Sequence, residues 1–178
     1  PVREALIQLE GEGLLVATAN SGFEIRTLSV DELCELYEIR EAIEGLAVEK
    51  LTRNGASPSL VAELRKCCEM RRNAEDFAIR ERGDRQFHAL ICDSCNSPMM
   101  SRLANNYLLL STIFNFTRYF LLNRKVGDAN QVNLEHDQIT DAIEAGDAKK
   151  ARKLLVAHIA AARKLIRKFA RTSGDRQS

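Results

Sequence analysis

From Ser29 to about Arg171 the apolar residues recur at intervals of three and four, in long stretches separated by short polar or Gly/Pro-bearing breaks. This periodicity commits the chain to helices laid side by side, because each stretch carries one apolar face that another element has to cover. Ser29-Val30-Asp31-Glu32 has the capping-box pattern and predicts a helix to about Asn54. Ser57-Pro58 supplies an N-cap and a first-turn proline for a second helix, to about Asn73. A third is expected from about Ala74 to Cys95, with Gly83 as its weak point, and Asn96-Ser97-Pro98 restarts the chain into a fourth ending near Asn123. A fifth spans about Asp128 to Ala145. Gly146 then suits a helix C-terminus, and Asp147 caps a sixth helix to about Arg171. Short connections between long helices imply an all-α fold, an antiparallel bundle of about six helices.

Residues 1–28 differ in kind. A short helical pattern (Val2, Leu6, Leu9) gives way to Gly11 and Gly13, and two short runs, Leu14 to Ala17 and Phe23 to Arg26, flank Asn20-Ser21-Gly22. That order reads as a helix followed by a β-hairpin. The domain reading is an appendage over 1–28, a helical domain over 29–172 and a polar, frayed tail over 173–178. Because the chain opens on Pro1 inside a helical pattern, it reads as a truncated or trimmed product.

Composition narrows the function classes. A net charge of +1 exerts no global pull toward nucleic acid or an anionic membrane. The most apolar stretch, Tyr107 to Leu122, is broken by Ser111, Asn115 and Arg118, so no membrane span is expected. No signal-peptide pattern is present, and five cysteines without framework spacing fit reduced thiols in the cytoplasm. Cys92-Asp93-Ser94-Cys95 has C-x-x-C spacing but closes a helix, so buried small hydrophobes are expected there and not a redox or zinc motif.

The informative residues are polar ones on apolar stripes. In the third bundle helix Phe77, Asp84, His88, Ile91 and Cys95 share a face; in the fifth, Val132, His136, Ile139 and Ile143; in the sixth, Ala151, Leu155, His158, Ala162, Leu165 and Phe169. All three histidines of the chain therefore point inward, and Asp84 lies one turn from His88. Three imidazoles and a carboxylate converging on a divalent metal would remove the cost of burying them, zinc first, with nickel, cobalt or manganese as alternatives. Spacing alone leaves open hydrogen-bonded core histidines, and an exposed Asp84 paired with an arginine such as Arg80.

The first bundle helix carries Arg40 and Glu44 within the stripe Leu33, Leu36, Tyr37, Ala47, Leu51. This is either an internal ion pair or a guanidinium reserved for an anionic ligand. Asn105, Asn106, Asn115, Arg118 and Asn123 add polar groups to the fourth helix, and spacing does not say which of them face a cavity. Phe114, Phe116, Tyr119 and Phe120 read as packing or a subunit interface.

Taken in order, these residues resemble a known family. Pro1-Val2-Arg3-Glu4-Ala5-Leu6, Leu9-Glu10 and Glu12-Gly13-Leu14-Leu15 resemble the end of the winged helix-turn-helix of GntR-family regulators, and Asn20-Ser21-Gly22-Phe23-Glu24-Ile25 its wing. Glu35-Leu36-Tyr37-Glu38-Ile39-Arg40 with Ile43-Glu44 resembles the opening of the FCD effector domain of the FadR subfamily. Asp84-x-x-Phe87-His88, Asn96-Ser97-Pro98, Glu135-His136, Ala142-Ile143, Gly146-Asp147, Ala151 and His158 continue that pattern. The resemblance implies that Asp84, His88, His136 and His158 hold a divalent metal, that a small organic acid binds beside it with Arg40 completing the charge match, and that the protein is a homodimeric, ligand-responsive repressor and not an enzyme. It also implies that Arg3 matches a DNA-contacting position. The family's first two DNA-binding helices are absent, and residues 1–28 carry only Arg3 and Arg26 against four glutamates. Weak or no operator binding is therefore expected of this chain alone. The competing reading is a metal-dependent hydrolase, for which Glu44 is the one spare inward base, and a third is a bundle with purely structural histidines.

Overall fold

The computed structural model describes residues 1–19, 22–122 and 129–174, with side chains over 1–19, 22–115 and 130–168. Among these the chain forms helix α1 (Val2–Gly11), a two-stranded sheet of β1 (Leu15–Ala17) and β2 (Phe23–Ile25), and six further helices. The six are α2 (Val30–Asn54), α3 (Pro58–Asn73), α4 (Phe77–Asp93), α5 (Pro98–Leu122), α6 (Ala129–Glu144) and α7 (Ala148–Gly174). The strands pair antiparallel with Val16 opposite Glu24. Asn20 and Ser21, the tip of the expected turn, lie outside the described residues, as do Asn123 and Asp128 at the expected helix ends.

Local chemistry sets the helix starts. At α2 the Ser29 hydroxyl accepts from the Glu32 amide at 3.2 Å while the Glu32 carboxylate accepts from the Ser29 amide at 2.9 Å, so two orphan donors of the first turn are satisfied at once. Ser57 caps α3 and Asp147 caps α7 in the same manner. The third bundle helix begins at Phe77 and not near Ala74, because Asp76 takes the amides of Ala78 and Ile79. It ends at Asp93, two residues before the expected Cys95. Gly146, at φ 71°, turns the chain between α6 and α7 and lets Asp147 donate back to the Ala142 carbonyl at 3.0 Å. The last helix runs to Gly174, so residues 173–174 are helical and not part of a frayed tail: nothing in Thr172-Ser173 breaks a helix.

Helices α3 and α4, α4 and α5, and α6 and α7 are each packed against one another across connections of a few residues, which makes the pairs antiparallel. Helix α2 lies along α7, and α3 also meets α6. The core joining them includes Leu33, Val48, Leu64, Phe87, Ile91, Ile139, Ile143, Leu155 and Ile159. Each such side chain, fully withdrawn from water, is worth about 1.5–3 kcal/mol. All five cysteines are free and buried, as their apolar surroundings led one to expect.

Gly83, read from the sequence as a weak point, is instead a contact point. A Cβ there would lie 3.1 Å from the Cys67 carbonyl oxygen and 3.2 Å from the Arg71 amide nitrogen, so only glycine lets α3 and α4 approach this closely. Helix α4 is unbroken through it, with Asp84 facing Arg71 of α3.

Candidate metal centre and adjoining cavity

The inward stripes of α4, α6 and α7 meet at one place. One ligand atom from each of Asp84, His88, His136 and His158 falls within 4.8 Å of the others. A divalent ion at roughly 2.0–2.2 Å from each donor needs such atoms within about 4 Å of one another, so small side-chain adjustments close the set. His88 and His136 are fully buried and His158 nearly so, while Asp84 is half-buried.

Hydrogen bonding fixes which ring nitrogens are free. The His88 Nδ1 lies 2.5 Å from Glu44 Oε2, and the His158 Nδ1 lies 2.7 Å from Glu135 Oε2. Each carboxylate accepts from Nδ1–H, which leaves a lone pair on the Nε2 of both rings. The His88 Nε2 is buried without a hydrogen-bond partner, the His136 and His158 Nε2 atoms face each other at 3.2 Å, and His136 Nε2 lies 3.6 Å from Asp84 Oδ1. The Nε2 lone pairs of His88 and His158, with His136 Nε2 and the Asp84 carboxylate beside them, suit a divalent cation, and a core of hydrogen-bonded histidines would not leave His88 Nε2 and His136 Nδ1 without partners. The residues present fit a metal.

The electrostatics agree. Burial pushes the His136 imidazole well below its ordinary value, and burial likewise lowers His158 despite the opposing Glu135 hydrogen bond, so both rings are neutral at pH 7. Burial opposes ionisation of Asp84, but His88, His136 and Arg71 outweigh it and hold its carboxyl below the usual range. Phe87 stacks on His136 with ring centroids 4.2 Å apart and fixes its plane. Arg71 donates its Nε to Asp84 at 3.2 Å and an Nη to Asn133 at 2.5 Å, which orients the carboxylate.

Beside the histidines lies a cavity of about 140 Å³, walled by Tyr37, Arg40, Glu81, Asn115, Glu135 and the apolar face of α7 around Ala162 and Leu165. A cavity of this volume takes a benzene-sized molecule, of roughly six non-hydrogen atoms. Arg40 forms the internal ion pair that the sequence allowed, its Nε donating to Glu44 at 2.7 Å, and its guanidinium, seated over the Tyr37 ring at 4.8 Å, also borders the cavity. Glu44 lies behind His88, bound on both oxygens by Arg40 and the imidazole.

The FCD-domain family model matches residues 35–161, most of the chain. The chain is an FCD-domain protein. The HTH-type transcriptional repressor GlaR of Escherichia coli is 25% identical over 171 residues, covering 89% of this chain and 75% of GlaR. The HTH-type regulator YdhC of Bacillus subtilis is 30% identical, covering 89% of this chain and 70% of YdhC. Among solved structures, E. coli McbR/YncC superposes with a TM-score of 0.80 at 19% identity, over 93% of this chain and 83% of that one, a likeness of fold. This FCD protein thus belongs with HTH-type transcriptional regulators. No described helix is long and apolar enough to cross a membrane.

Within the FCD bundle the structure brings together all four residues that the sequence picked out as ligands, with Arg40 beside them. Asp84 pairs with Arg71 and not with Arg80, whose Nη2 donates to the Glu75 carbonyl. Of the fourth helix's polar residues, Asn115 faces the cavity and Asn105 and Asn106 are exposed; the side chains of Arg118, Asn123, Phe116, Tyr119, Phe120 and Phe169 lie outside those described. Sequence reasoning missed Glu81, Glu135, Arg71 and Asn133. Glu81 left a signal: Phe77, Glu81, Asp84, His88 and Ile91 follow the alternating four-three spacing of one helix face.

Proposed function

We propose that this chain is the sensing part of a ligand-responsive transcriptional repressor, in which Asp84, His88, His136 and His158 hold a divalent metal, zinc first, and a small organic acid binds in the adjoining cavity. The observation that carries this reading is the set of imidazole Nε2 atoms and the Asp84 carboxylate gathered beside a cavity that Arg40 also borders. When bound, the divalent ion supplies an electrophilic anchor for a carboxylate oxygen. Arg40 supplies the second point, its Nη groups being outside the Glu44 contact.

Transmission runs through α5. Asn115 donates to Glu81 at the cavity, while Ile113 and Phe114, on the preceding turn, face Arg26, Thr27 and Leu28 across a second, smaller cavity. Arg26 is in turn paired with Glu32 at 2.9 Å, in the capping box of α2. A ligand that favours one placement of Asn115 shifts the segment joining residues 1–28 to the bundle. Residues 1–28 are read as the end of a winged helix-turn-helix, with Arg3 exposed on α1 to meet operator DNA in a homodimer. Alone, with Arg26 engaged and four glutamates beside it, this stretch binds DNA weakly.

The test is metal analysis of the purified protein before and after chelation, with thermal unfolding of both samples. About one ion per chain and a lower melting temperature after chelation are expected. His136→Ala and His158→Ala each lower metal content and organic-acid affinity together. Full occupancy in both variants sinks the assignment, as does absence of metal with no uptake of added Zn²⁺ or Ni²⁺.

A further inference from the structure

The cavity has a second polar wall that neither the ligand set nor Arg40 uses. Glu81 is 7% exposed and borders the cavity one helical turn before Asp84. Among the described residues it receives a single hydrogen bond, from Asn115 Nδ2 to Oε2 at 2.9 Å. Asn115 also hydrogen-bonds Tyr37 on this wall, so the acceptor left for an incoming group is the Glu81 carboxylate. A buried carboxylate hydrogen-bonded by one neutral amide, with Arg71 and Arg40 acting on it through space, accepts a further donor.

We propose that the occupant of this cavity is an amino acid, its carboxylate at the metal and Arg40 and its ammonium on Glu81. The inference rests on the metal and organic-acid reading above and names the chemical class of the ligand.

Three observations converge on it. The first is the pairing of a guanidinium and a carboxylate on the walls of one cavity, which matches a molecule carrying both signs. The second is charge balance. Around the cavity stand two guanidinium groups, Arg40 and Arg71, and four carboxylates, Glu44, Glu81, Asp84 and Glu135. A net-neutral zwitterion leaves the charge of these walls unchanged, where a simple carboxylate adds a negative charge beside Glu81. The third is size: a volume for roughly six heavy atoms admits a small amino acid and excludes a peptide.

The experiment compares matched ligands on the Zn²⁺-loaded full chain by thermal shift and then calorimetry. Each α-amino acid, with β-alanine and 4-aminobutyrate, is set against its hydroxy and its deamino counterpart. At least one amino acid is expected to bind about tenfold or more tightly than both counterparts, and Glu81→Gln, nearly isosteric but uncharged, should erase that preference while changing affinity for the deamino acid less than about threefold. Hydroxy or deamino acids binding as tightly as the amino acid to the unaltered protein overturn the proposal, and that comparison needs no variant to fold. A preference that survives in Glu81→Gln overturns it too. If carboxylates bind without preference, this inference fails and the organic-acid reading stands; if no acid of any kind binds the metal-loaded chain, both fail.

Discussion

Replacing Glu44 by glutamine tests whether a carboxylate set behind the metal ligands governs both stability and metal affinity. Glu44 is fully buried, with one oxygen on Arg40 Nε at 2.7 Å and the other on His88 Nδ1 at 2.5 Å. Burial opposes its ionisation, but Arg40 and His88 outweigh that and hold the carboxyl down at about 2, against an ordinary 4.5. At about 1.4 kcal/mol for each unit, that difference is worth about 3 kcal/mol, of the size expected when one partner of a buried pair is removed. The carboxyl is depressed, so this stabilisation is complete above pH 4.5 and is lost as pH falls toward 2. Glutamine fills the same volume but offers one acceptor where the site has two donors. If its oxygen turns to Arg40, its NH₂ faces His88 Nδ1 and forces the ring proton onto Nε2, the atom aimed at the metal site. Glu44→Gln should therefore lose about 3 kcal/mol in urea unfolding and about 10–100-fold in Zn²⁺ affinity by chelator competition. Adding Arg40→Met should recover much of the stability, because it removes the unpaired charge, and none of the metal affinity. A variant that binds Zn²⁺ within about threefold of the parent at unchanged stability would refute the assignment of Glu44 as the group that orients His88.

Two further predictions concern packing and pH. Gly83→Ala gains about 1 kcal/mol of helix propensity but places a Cβ 3.1 Å from the Cys67 carbonyl; a net loss of about 1–2 kcal/mol is expected in urea unfolding, and unchanged stability would mean that α3 and α4 separate freely. In metal-free protein His136 and His158 are held neutral by burial, so the unfolded chain takes up protons below about pH 6.5 that the folded one refuses, and calorimetry should show the melting temperature falling with pH there. Glu81, raised to about 7, binds a proton more readily folded than unfolded and opposes that slope, so Glu81→Gln should steepen it between about pH 5 and 6.5. A flat profile in the parent protein would contradict the burial of both imidazoles.

The sequence alone determined the helices and set the candidate ligands on inward faces, for reasons that act over a few residues. The Ser29–Glu32 box, Ser57-Pro58 and Gly146-Asp147 satisfy or end a helix turn by contacts within four or five positions, so they read the same in the chain as in the fold. The three histidines were legible because each interrupts an apolar stripe, and a stripe can face only the core. What the sequence left open was decided by distance in space. Gly83 looks like a defect to local propensity, and only the approach of α3 makes it a requirement. Glu81 sits in Arg80-Glu81-Arg82-Gly83-Asp84-Arg85, a charged run that reads as a solvated face until α5 brings Asn115 against it. Arg71 finds Asn133 across 62 positions, and Glu44 finds His88 across 44, so neither partner is visible from its neighbours. Those pairings fix which ring nitrogens are free and where a carboxylate accepts a further donor. Hydrogen bonding and charge compensation depend on the distance between atoms, and between separate helices only packing sets that distance.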